Sequence, residues 1–291
     1  MPNLKPTKQL MLPEDIRAYL LPQAFNAAVR AGWEIMEVYK NRNDYDVAVK
    51  SDSTPITVAD RLAHNSIKAS LGQTRIPILS EEGRQMLYDE RCNWELFWLV
   101  DPLDGTVEFI KGNNEFTVNI ALMADRECVC AVVYVPYLHK VYVASRGVGA
   151  FLVENVVPAT DAEYTYDQIC NLRERLPLAS AAHTGYRIAL SRSHQTPETA
   201  EYVAAASRDR EDVEIFEQGS SYKFCLLAEG AADYYPRTTH TYEWDTAAAE
   251  LILAESGGMT RSLPDNKPLK YNKEDLKNPW FESFSCRALN R

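Results

Sequence analysis

Hydrophobic positions recur at helical spacing in several parts of the chain. After Leu12-Pro13-Glu14-Asp15, which is typical of a helix start, apolar residues repeat every three or four positions up to Val38. Pro22 is expected to kink or restart this helix. Further helices are predicted over residues 61–71, 107–112, 165–175, 197–206, 219–230 and 244–258.

Short apolar runs predict strands between these helices. They cover residues 47–50, 76–80, 97–100, 116–123, 128–136, 141–144, 147–151, 213–216, 232–237 and 282–286, with one more opening the stretch 188–194. The runs from 116 to 151 predict a largely antiparallel meander. The strand at 97–100 is expected to end at Asp101-Pro102, because proline interrupts a strand ladder.

A polar, mixed stretch at residues 154–186 separates two parts of this pattern. We interpret it as an insertion or linker. It divides the chain into an N-terminal α/β half, residues 1–153, and a C-terminal α/β half, residues 187–291.

Carboxylates follow two of the predicted strands. Asp101 and Asp104 frame a tight turn closed by Gly105, and Glu81 follows the strand at 76–80. Ligands of α/β sheets bind beyond strand ends, where a hard divalent cation would offset the repulsion between the acids. The alternative at this point is ordinary turns with solvated acids.

Other polar residues lie at predicted helix starts. Asp60 and Asp245 suit a helix N-terminus, and that structural role stays open for both. Backbone N–H groups at Gly105 and Thr106 would form an anion cradle. Lys223 lies in a first helical turn, where the helix dipole disfavours a cation, so it is expected to bind an anion.

Composition excludes several classes of protein. The 291 residues are 46% hydrophobic and 25% charged, with a formal net charge of −10, which argues against binding a nucleic acid polymer. No apolar run approaches the roughly 20 residues of a transmembrane helix, and the N-terminus shows no signal core. The six cysteines show no metal-binding spacing. Free thiols in the cytoplasm are therefore expected.

Four ordered motifs make the chain recognisable. It resembles the lithium-sensitive, magnesium-dependent phosphatases of the inositol monophosphatase superfamily, on the segments Lys50 to Asp60, Ser80-Glu81-Glu82, Trp98 to Thr106 and Trp244 to Ala248. Within it, the chain is most similar to the bacterial 3'(2'),5'-bisphosphate nucleotidases. That closer likeness rests on Glu108 to Lys111, Glu115 to Leu122, Ser191 to His194, Gly219 to Cys225 and Tyr235-Pro236-Arg237.

The resemblance implies a fold and a set of roles. The fold would be a layered α/β/α/β/α sandwich. Glu81, Asp101 and the carbonyl of Leu103 would hold one Mg²⁺, while Asp101, Asp104 and Asp245 would hold a second; a third ion would assist in some states. Asp60 and Thr106 would orient or deprotonate the attacking water, and Gly105 and Thr106 would cradle the phosphate. Contacts to the nucleotide and its non-reacting phosphate would come from His194, Ser220, Lys223 and Arg237.

Two features depart from the pattern of close relatives. Val107 stands where they carry lysine, which changes the charge of the loop, and residues 154–186 form a longer stretch than compact bacterial forms contain. We expect Mg²⁺-dependent removal of the 3'-phosphate of adenosine 3',5'-bisphosphate by a monomer or homodimer. The alternatives are an inositol phosphate or fructose 1,6-bisphosphate phosphatase of the same fold, and a catalytically silent metal or nucleotide sensor.

Overall fold

A computed structural model describes residues 11–41, 48–49 and 55–290. Residues 50–54 of the first motif, and residues 47 and 50 of the predicted strand at 47–50, lie outside the described residues. The helices are α1 Glu14–Lys40, α2 Val58–Leu71, α3 Tyr88–Arg91, α4 Thr106–Lys111, α5 Tyr166–Leu172, α6 Pro197–Ser207, α7 Tyr222–Glu229, α8 Glu243–Glu255 and α9 Cys286–Leu289.

The strands form three sheets. They are β1 Ala48–Val49, β2 Pro55–Ile56, β3 Ile78–Ser80, β4 Leu96–Asp104, β5 Thr117–Ala124, β6 Glu127–Val135, β7 Lys140–Ser145, β8 Gly149–Val153, β9 Glu174–Arg175, β10 Tyr186–Ser191, β11 Val213–Gln218, β12 Tyr234–Arg237, β13 Met259–Ser262 and β14 Phe281–Phe284. A seven-stranded sheet has the order β3-β4-β5-β6-β7-β8-β9, and a five-stranded sheet has the order β11-β10-β12-β14-β13. β1 and β2 pair separately.

The predicted meander is confirmed. Strands β4 to β9 pair antiparallel in sequence order, and only β3 joins this sheet parallel to β4. In the second sheet β10 pairs parallel with β11 and β12, whereas β14 pairs antiparallel with β12 and β13. The sequence pattern did not indicate β13.

One face of the seven-stranded sheet is covered by α1 and α2. Phe25 of α1 and Ile67 of α2 share a buried cluster with Trp98 and Ile120 of the sheet. Because side chains alternate along a strand, the neighbouring residues of the same strands, such as Leu99, point to the opposite face. The sheet is therefore buried on both sides.

The opposite face packs on α7 and α8, which form the central layer. Leu99 shares a second cluster with Phe224 of α7 and Leu251 of α8, and Tyr235 of the five-stranded sheet belongs to it too. A third cluster on the outer face of that sheet joins Ile188 to residues of α6 and α9. The order of layers is helix, sheet, helix, sheet, helix, so the predicted α/β/α/β/α sandwich is confirmed.

The expected break at Pro22 does not occur. α1 runs for 27 residues with Pro22 buried inside it. A proline inside a helix costs about 3 kcal/mol. Burial of Leu20, Leu21 and Phe25 on either side of it offsets that cost, since each such side chain contributes roughly 1.5–3 kcal/mol.

The expected end of β4 at Asp101-Pro102 is also wrong. Asp101 pairs with Asn119 and Asp104 pairs with Thr117, with an irregularity between them. Residues 102 and 103 of β4 therefore lie opposite a single residue of β5. Pro102 lies in this bulge, where a missing N–H removes no ladder bond, so the strand continues past it.

The stretch 154–186 packs against both parts of the chain, since the Leu178 N–H donates to the Glu229 carbonyl of α7 over 2.9 Å. The stretch contains α5 and β9, which pairs with β8 at the edge of the seven-stranded sheet, and Ile169 is fully buried. Arg30 of α1 donates to the Ala162 carbonyl over 2.7 Å. The division of the chain at this stretch remains a prediction. No helix in the described part of the chain is long and apolar enough to cross a membrane.

Candidate active site

The parallel pair β3 and β4 brings two of the predicted acids together. Ser80, the last residue of β3, pairs with Val100, so Glu81 lies next to Asp101 of β4, and the Glu81 N–H donates to the Val100 carbonyl over 3.1 Å. Asp245 approaches from the first turn of α8. Carboxylate oxygens of Glu81, Asp101 and Asp245 lie within 4.8 Å of one another.

Asp245 has a structural role as well. We expected it as a possible N-cap, but it lies two residues into α8, where its Oδ2 accepts from the backbone N–H of Tyr242 over 2.8 Å. An acid is favoured both at an N-cap and at the third residue of a helix, so the sequence alone did not distinguish the two positions for Asp245. The bond fixes one oxygen towards the helix start and aims the carboxyl group at the cluster.

The three acids repel one another in a poorly hydrated place. Burial raises the pKa of Asp101 well above its ordinary value, and the charges of Glu81, Asp104 and Asp245 raise it further. Burial likewise raises the pKa of Asp245, with Asp104 and Glu81 adding to the effect. The ionised cluster is therefore unfavourable without a cation, and its oxygen ligands are those that hard divalent cations prefer.

Asp104 lines the same pocket but is held by different neighbours. Its Oδ2 accepts a short hydrogen bond from the backbone N–H of Ser221, and the Thr117 hydroxyl lies 3.4 Å from it. Burial raises the pKa of Asp104, whereas the nearby charge of Lys223 lowers it. This carboxylate thus connects the acid cluster to the loop before α7.

Asp60 lies behind the pocket wall. Its Oδ2 accepts from the backbone N–H and the hydroxyl of Thr57, at 2.7 and 2.6 Å, in a capping box at the start of α2. The structural reading left open for Asp60 is therefore confirmed. Its Oδ1 accepts from the Thr106 hydroxyl over 3.0 Å, so Asp60 reaches the pocket through Thr106.

The end of β4, Gly105 and the start of α4 form the floor of the pocket. Leu103, Gly105, Thr106 and Val107 all line it. Gly105 has a φ of +91°, and a Cβ there would lie 2.8 Å from the carbonyl oxygen of Glu115. Glycine is required on both counts, and it leaves the N–H groups at the start of α4 accessible to an anion.

Cationic groups form the opposite wall. Lys223 is 2% exposed, and its Nζ donates to the carbonyls of Gln218 and Ser220 over 3.0 and 2.7 Å. Burial, followed by the charge of Arg237, lowers the pKa of Lys223 to about 7. In the described part of the chain neither Lys223 nor Arg237 makes a salt bridge to a carboxylate. Arg237, and Lys223 in its protonated form, are therefore suited to an anionic ligand.

His194 and Ser220 complete that wall. Both line the pocket with Lys223 and Arg237. Burial lowers the pKa of His194, and the charge of Arg237 lowers it further. Every predicted site residue except Asp60 thus lines one cleft.

Several lining residues were not among those predicted. They are Glu108, Ser191, Ser221, Phe224, Tyr235, His240, Thr241, Tyr242, Thr246 and Phe281. Six of them, Glu108, Ser191, Ser221, Phe224, Tyr235 and Thr246, lie within motifs that the sequence singled out. Residues 240–242 carry no comparable signal, because they belong to a polar connection that only the fold brings to the site.

Comparisons with known proteins identify the family of this chain. The inositol monophosphatase family model matches residues 17–278 of the chain. The 3'(2'),5'-bisphosphate nucleotidase CysQ of Escherichia coli K12 is 37% identical over 265 residues, covering 90% of this chain and 98% of that protein. The CysQ of Haemophilus influenzae is 32% identical over 286 residues, covering 94% and 97%.

A solved structure extends the likeness to three dimensions. CysQ from Bacteroides thetaiotaomicron, described as a bacterial member of the inositol monophosphatase family, superposes with a TM-score of 0.83 at 44% identity, covering 93% of this chain and 98% of that one. This chain belongs to the inositol monophosphatase family. The relatives with which it shares 32–44% identity over nearly their full length are the CysQ bisphosphate nucleotidases.

Proposed function

We propose that this protein is a Mg²⁺-dependent 3'(2'),5'-bisphosphate nucleotidase that converts adenosine 3',5'-bisphosphate to AMP and phosphate. The observation that carries the proposal is the division of one pocket into two walls. Glu81, Asp101 and Asp245 provide clustered oxygen ligands, while Lys223 and Arg237 provide cations without carboxylate partners. The names and coverage of the CysQ relatives support the same activity.

The acid cluster suits magnesium. Glu81, Asp101 and the carbonyl of Leu103 would hold one ion, and Asp101, Asp104 and Asp245 would hold a second, with a third in some states. Magnesium prefers carboxylates and carbonyls and retains water molecules. When bound, it would lower the pKa of a water molecule and withdraw charge from the phosphate.

Thr106 and Asp60 would position the attacking water. Because the Asp60 carboxylate accepts the Thr106 hydrogen, the Thr106 oxygen keeps its lone pairs for a proton of that water. The N–H groups of Gly105 and Thr106 would hold the reacting phosphate. Water would then attack in line with the departing sugar oxygen, and no covalent phosphoenzyme is required.

The cationic wall would hold the phosphate that does not react. An ammonium group has three N–H donors, and two of those on Lys223 go to the carbonyls of Gln218 and Ser220, which leaves one for a ligand. The Arg237 Nη2 donates to the His240 carbonyl over 3.4 Å, and its Nε has no partner among the described residues. His194 and Ser220 would add hydrogen bonds to the nucleotide.

We place the reaction in the cytoplasm, where adenosine 3',5'-bisphosphate arises as a by-product of sulfate assimilation, and we expect inhibition by lithium. The six cysteines are unpaired, in keeping with a reducing compartment. The resemblance implies a lysine where Val107 stands, so without that charge affinity for a bisphosphate would rest more heavily on Lys223 and Arg237.

Phosphate release tests the proposal. Adenosine 3',5'-bisphosphate and inositol 1-phosphate should be compared at equal concentrations in Mg²⁺, with and without lithium. We expect faster phosphate release from the nucleotide than from inositol 1-phosphate. Lithium should abolish that release. Preference for inositol 1-phosphate, or for fructose 1,6-bisphosphate in a parallel assay, would favour the alternative phosphatases. Binding of the nucleotide without release from any substrate would favour a sensor.

A further inference from the structure

The turn at residues 218–221 is fixed from two sides. Lys223 binds the carbonyls of Gln218 and Ser220 from within α7. On the other side, the N–H of Gly219 donates to Glu115 Oε2 over 2.7 Å, and the N–H of Ser221 donates to Asp104. Ser220 lies between these anchors.

Ser220 needs such support because its backbone is strained. Its φ is +52°, in the left-handed region that a serine seldom adopts. The conformation places Ser220 on the pocket wall beside Lys223. If the flanking N–H groups lost their acceptors, the turn could relax, and Ser220 would then move away from a ligand.

Glu115 is itself held by an arginine from the other sheet. Arg192, one residue after β10, donates from Nε to Glu115 Oε2 and from Nη2 to Glu115 Oε1, each over 2.7 Å. This two-point geometry fixes the carboxylate in one orientation. Arg192 Nη2 also donates to the Glu217 carbonyl over 2.8 Å, at the end of β11 and directly before the turn.

Close packing leaves the turn little freedom at Glu115. A Cβ on Gly219 would lie 2.9 Å from the Glu115 carbonyl oxygen, and a Cβ on Gly105 would lie 2.8 Å from the same atom. The segment at Glu115 therefore separates the loop after β4 from the turn before α7. A shift of Glu115 would displace both.

We propose that the Arg192–Glu115 pair positions the substrate, by holding the 218–221 turn so that Ser220 and Lys223 face the non-reacting phosphate. Neither residue lines the pocket, so both act through the turn. The assignment rests on the proposed nucleotidase activity for its substrate, but the hold on the turn can be measured without turnover.

The chain offers a matched control. Arg187 and Glu214 form a second arginine–glutamate pair on β10 and β11, over 2.7 Å, at the opposite end of the same strands. The two arginines are equally exposed, with 35% of each side chain exposed, whereas Glu115 is 14% exposed and Glu214 is 57% exposed. Arg192→Met and Arg187→Met therefore each remove an equally exposed arginine that pairs with a glutamate, but only the first touches the turn.

Kinetics with two substrates separates positioning from a general loss of stability. For Arg192→Met we expect kcat/KM on adenosine 3',5'-bisphosphate to fall about tenfold, mainly through KM, with little change on adenosine 3'-monophosphate. Glu115→Gln should behave like Arg192→Met, because its amide nitrogen cannot accept from the guanidinium. Arg187→Met should match the wild type on both substrates.

Hydrogen exchange gives a readout independent of activity. The Gly219 amide should exchange at least about tenfold faster in Arg192→Met than in Arg187→Met. Equal exchange in the two variants, or an equal loss of kcat/KM on both substrates, would overturn the proposal. If the wild type does not prefer the bisphosphate, the nucleotidase assignment fails on its own, and the exchange of Gly219 then decides whether the pair holds the turn.

Discussion

Replacing Asp101 by asparagine should stabilise the metal-free protein while removing its response to magnesium. The substitution takes one charge out of the cluster with Glu81 and Asp245. It keeps the local structure, because the asparagine oxygen can still accept the Leu103 N–H, which lies 3.0 Å from Asp101 Oδ1.

The magnitude follows from the separation of the charges. Two carboxylates 4.8 Å apart repel by about 3.5 kcal/mol at an effective dielectric of 20. Partial protonation already relieves part of this, because burial and the neighbouring acids raise the pKa of Asp101. A net gain of about 1–2 kcal/mol corresponds to a rise in Tm of roughly 2–4 °C for a chain of this size.

Magnesium should reverse the order of the two proteins. At a concentration about 100 times its Kd, a ligand stabilises the folded state by about 2.7 kcal/mol. The wild type should therefore gain roughly 5 °C in Mg²⁺, and Asp101→Asn much less.

Thermal denaturation in EDTA and in Mg²⁺ measures both effects. Asp209→Asn, at an exposed site, serves as the control and should follow the wild type in both conditions. The reasoning would be refuted if Asp101→Asn lowered the Tm in EDTA or kept the full shift in Mg²⁺.

Three further predictions concern other buried groups. Asp60→Asn should lower kcat by about 10²–10³-fold with KM nearly unchanged, because Thr106 loses its carboxylate acceptor; a normal kcat would contradict this role. Arg237→Met should raise KM for adenosine 3',5'-bisphosphate about 10–100-fold and leave KM for adenosine 3'-monophosphate unchanged. An equal rise for both substrates would show that Arg237 does not bind the non-reacting phosphate. Burial raises the pKa of Glu250 from 4.5 to about 7. The folded protein therefore keeps a proton that the unfolded chain releases, and stability from this group is full below pH 4.5 and falls as the pH rises through 7. In urea denaturation, this group should cost the wild type up to about 3 kcal/mol of its free energy of unfolding by pH 8, and Glu250→Gln should not show that loss. An unchanged pH dependence in the variant would exclude Glu250 as the source.

The fold was largely predictable because its signals are local. Alternation and helical spacing indicate most of the strands and helices, and the order of the motifs indicates the layered sandwich. The predicted interruptions at two prolines were wrong because packing overrides a local rule there. Pro22 remains inside α1 because its neighbours are buried, and Pro102 remains inside β4 because a bulge accommodates it.

The site was predictable to the extent that its residues carry sequence motifs. Glu81 follows β3 and Asp101 lies within the adjacent strand β4, and the parallel pairing brings the two acids together as expected. The contact of Arg192 with Glu115 joins residues 77 positions apart across two sheets, and no local pattern indicates it. The same holds for His240, which reaches the pocket only through the connection between β12 and α8.

Product analysis shows directly which phosphate the protein removes. The wild-type protein and Asp101→Asn should be incubated with adenosine 3',5'-bisphosphate in Mg²⁺, and the products separated by chromatography. We expect phosphate and adenosine 5'-monophosphate from the wild type and no conversion by Asp101→Asn. Formation of adenosine 3'-monophosphate, an unconverted substrate with the wild type, or equal conversion by the variant would contradict this expectation.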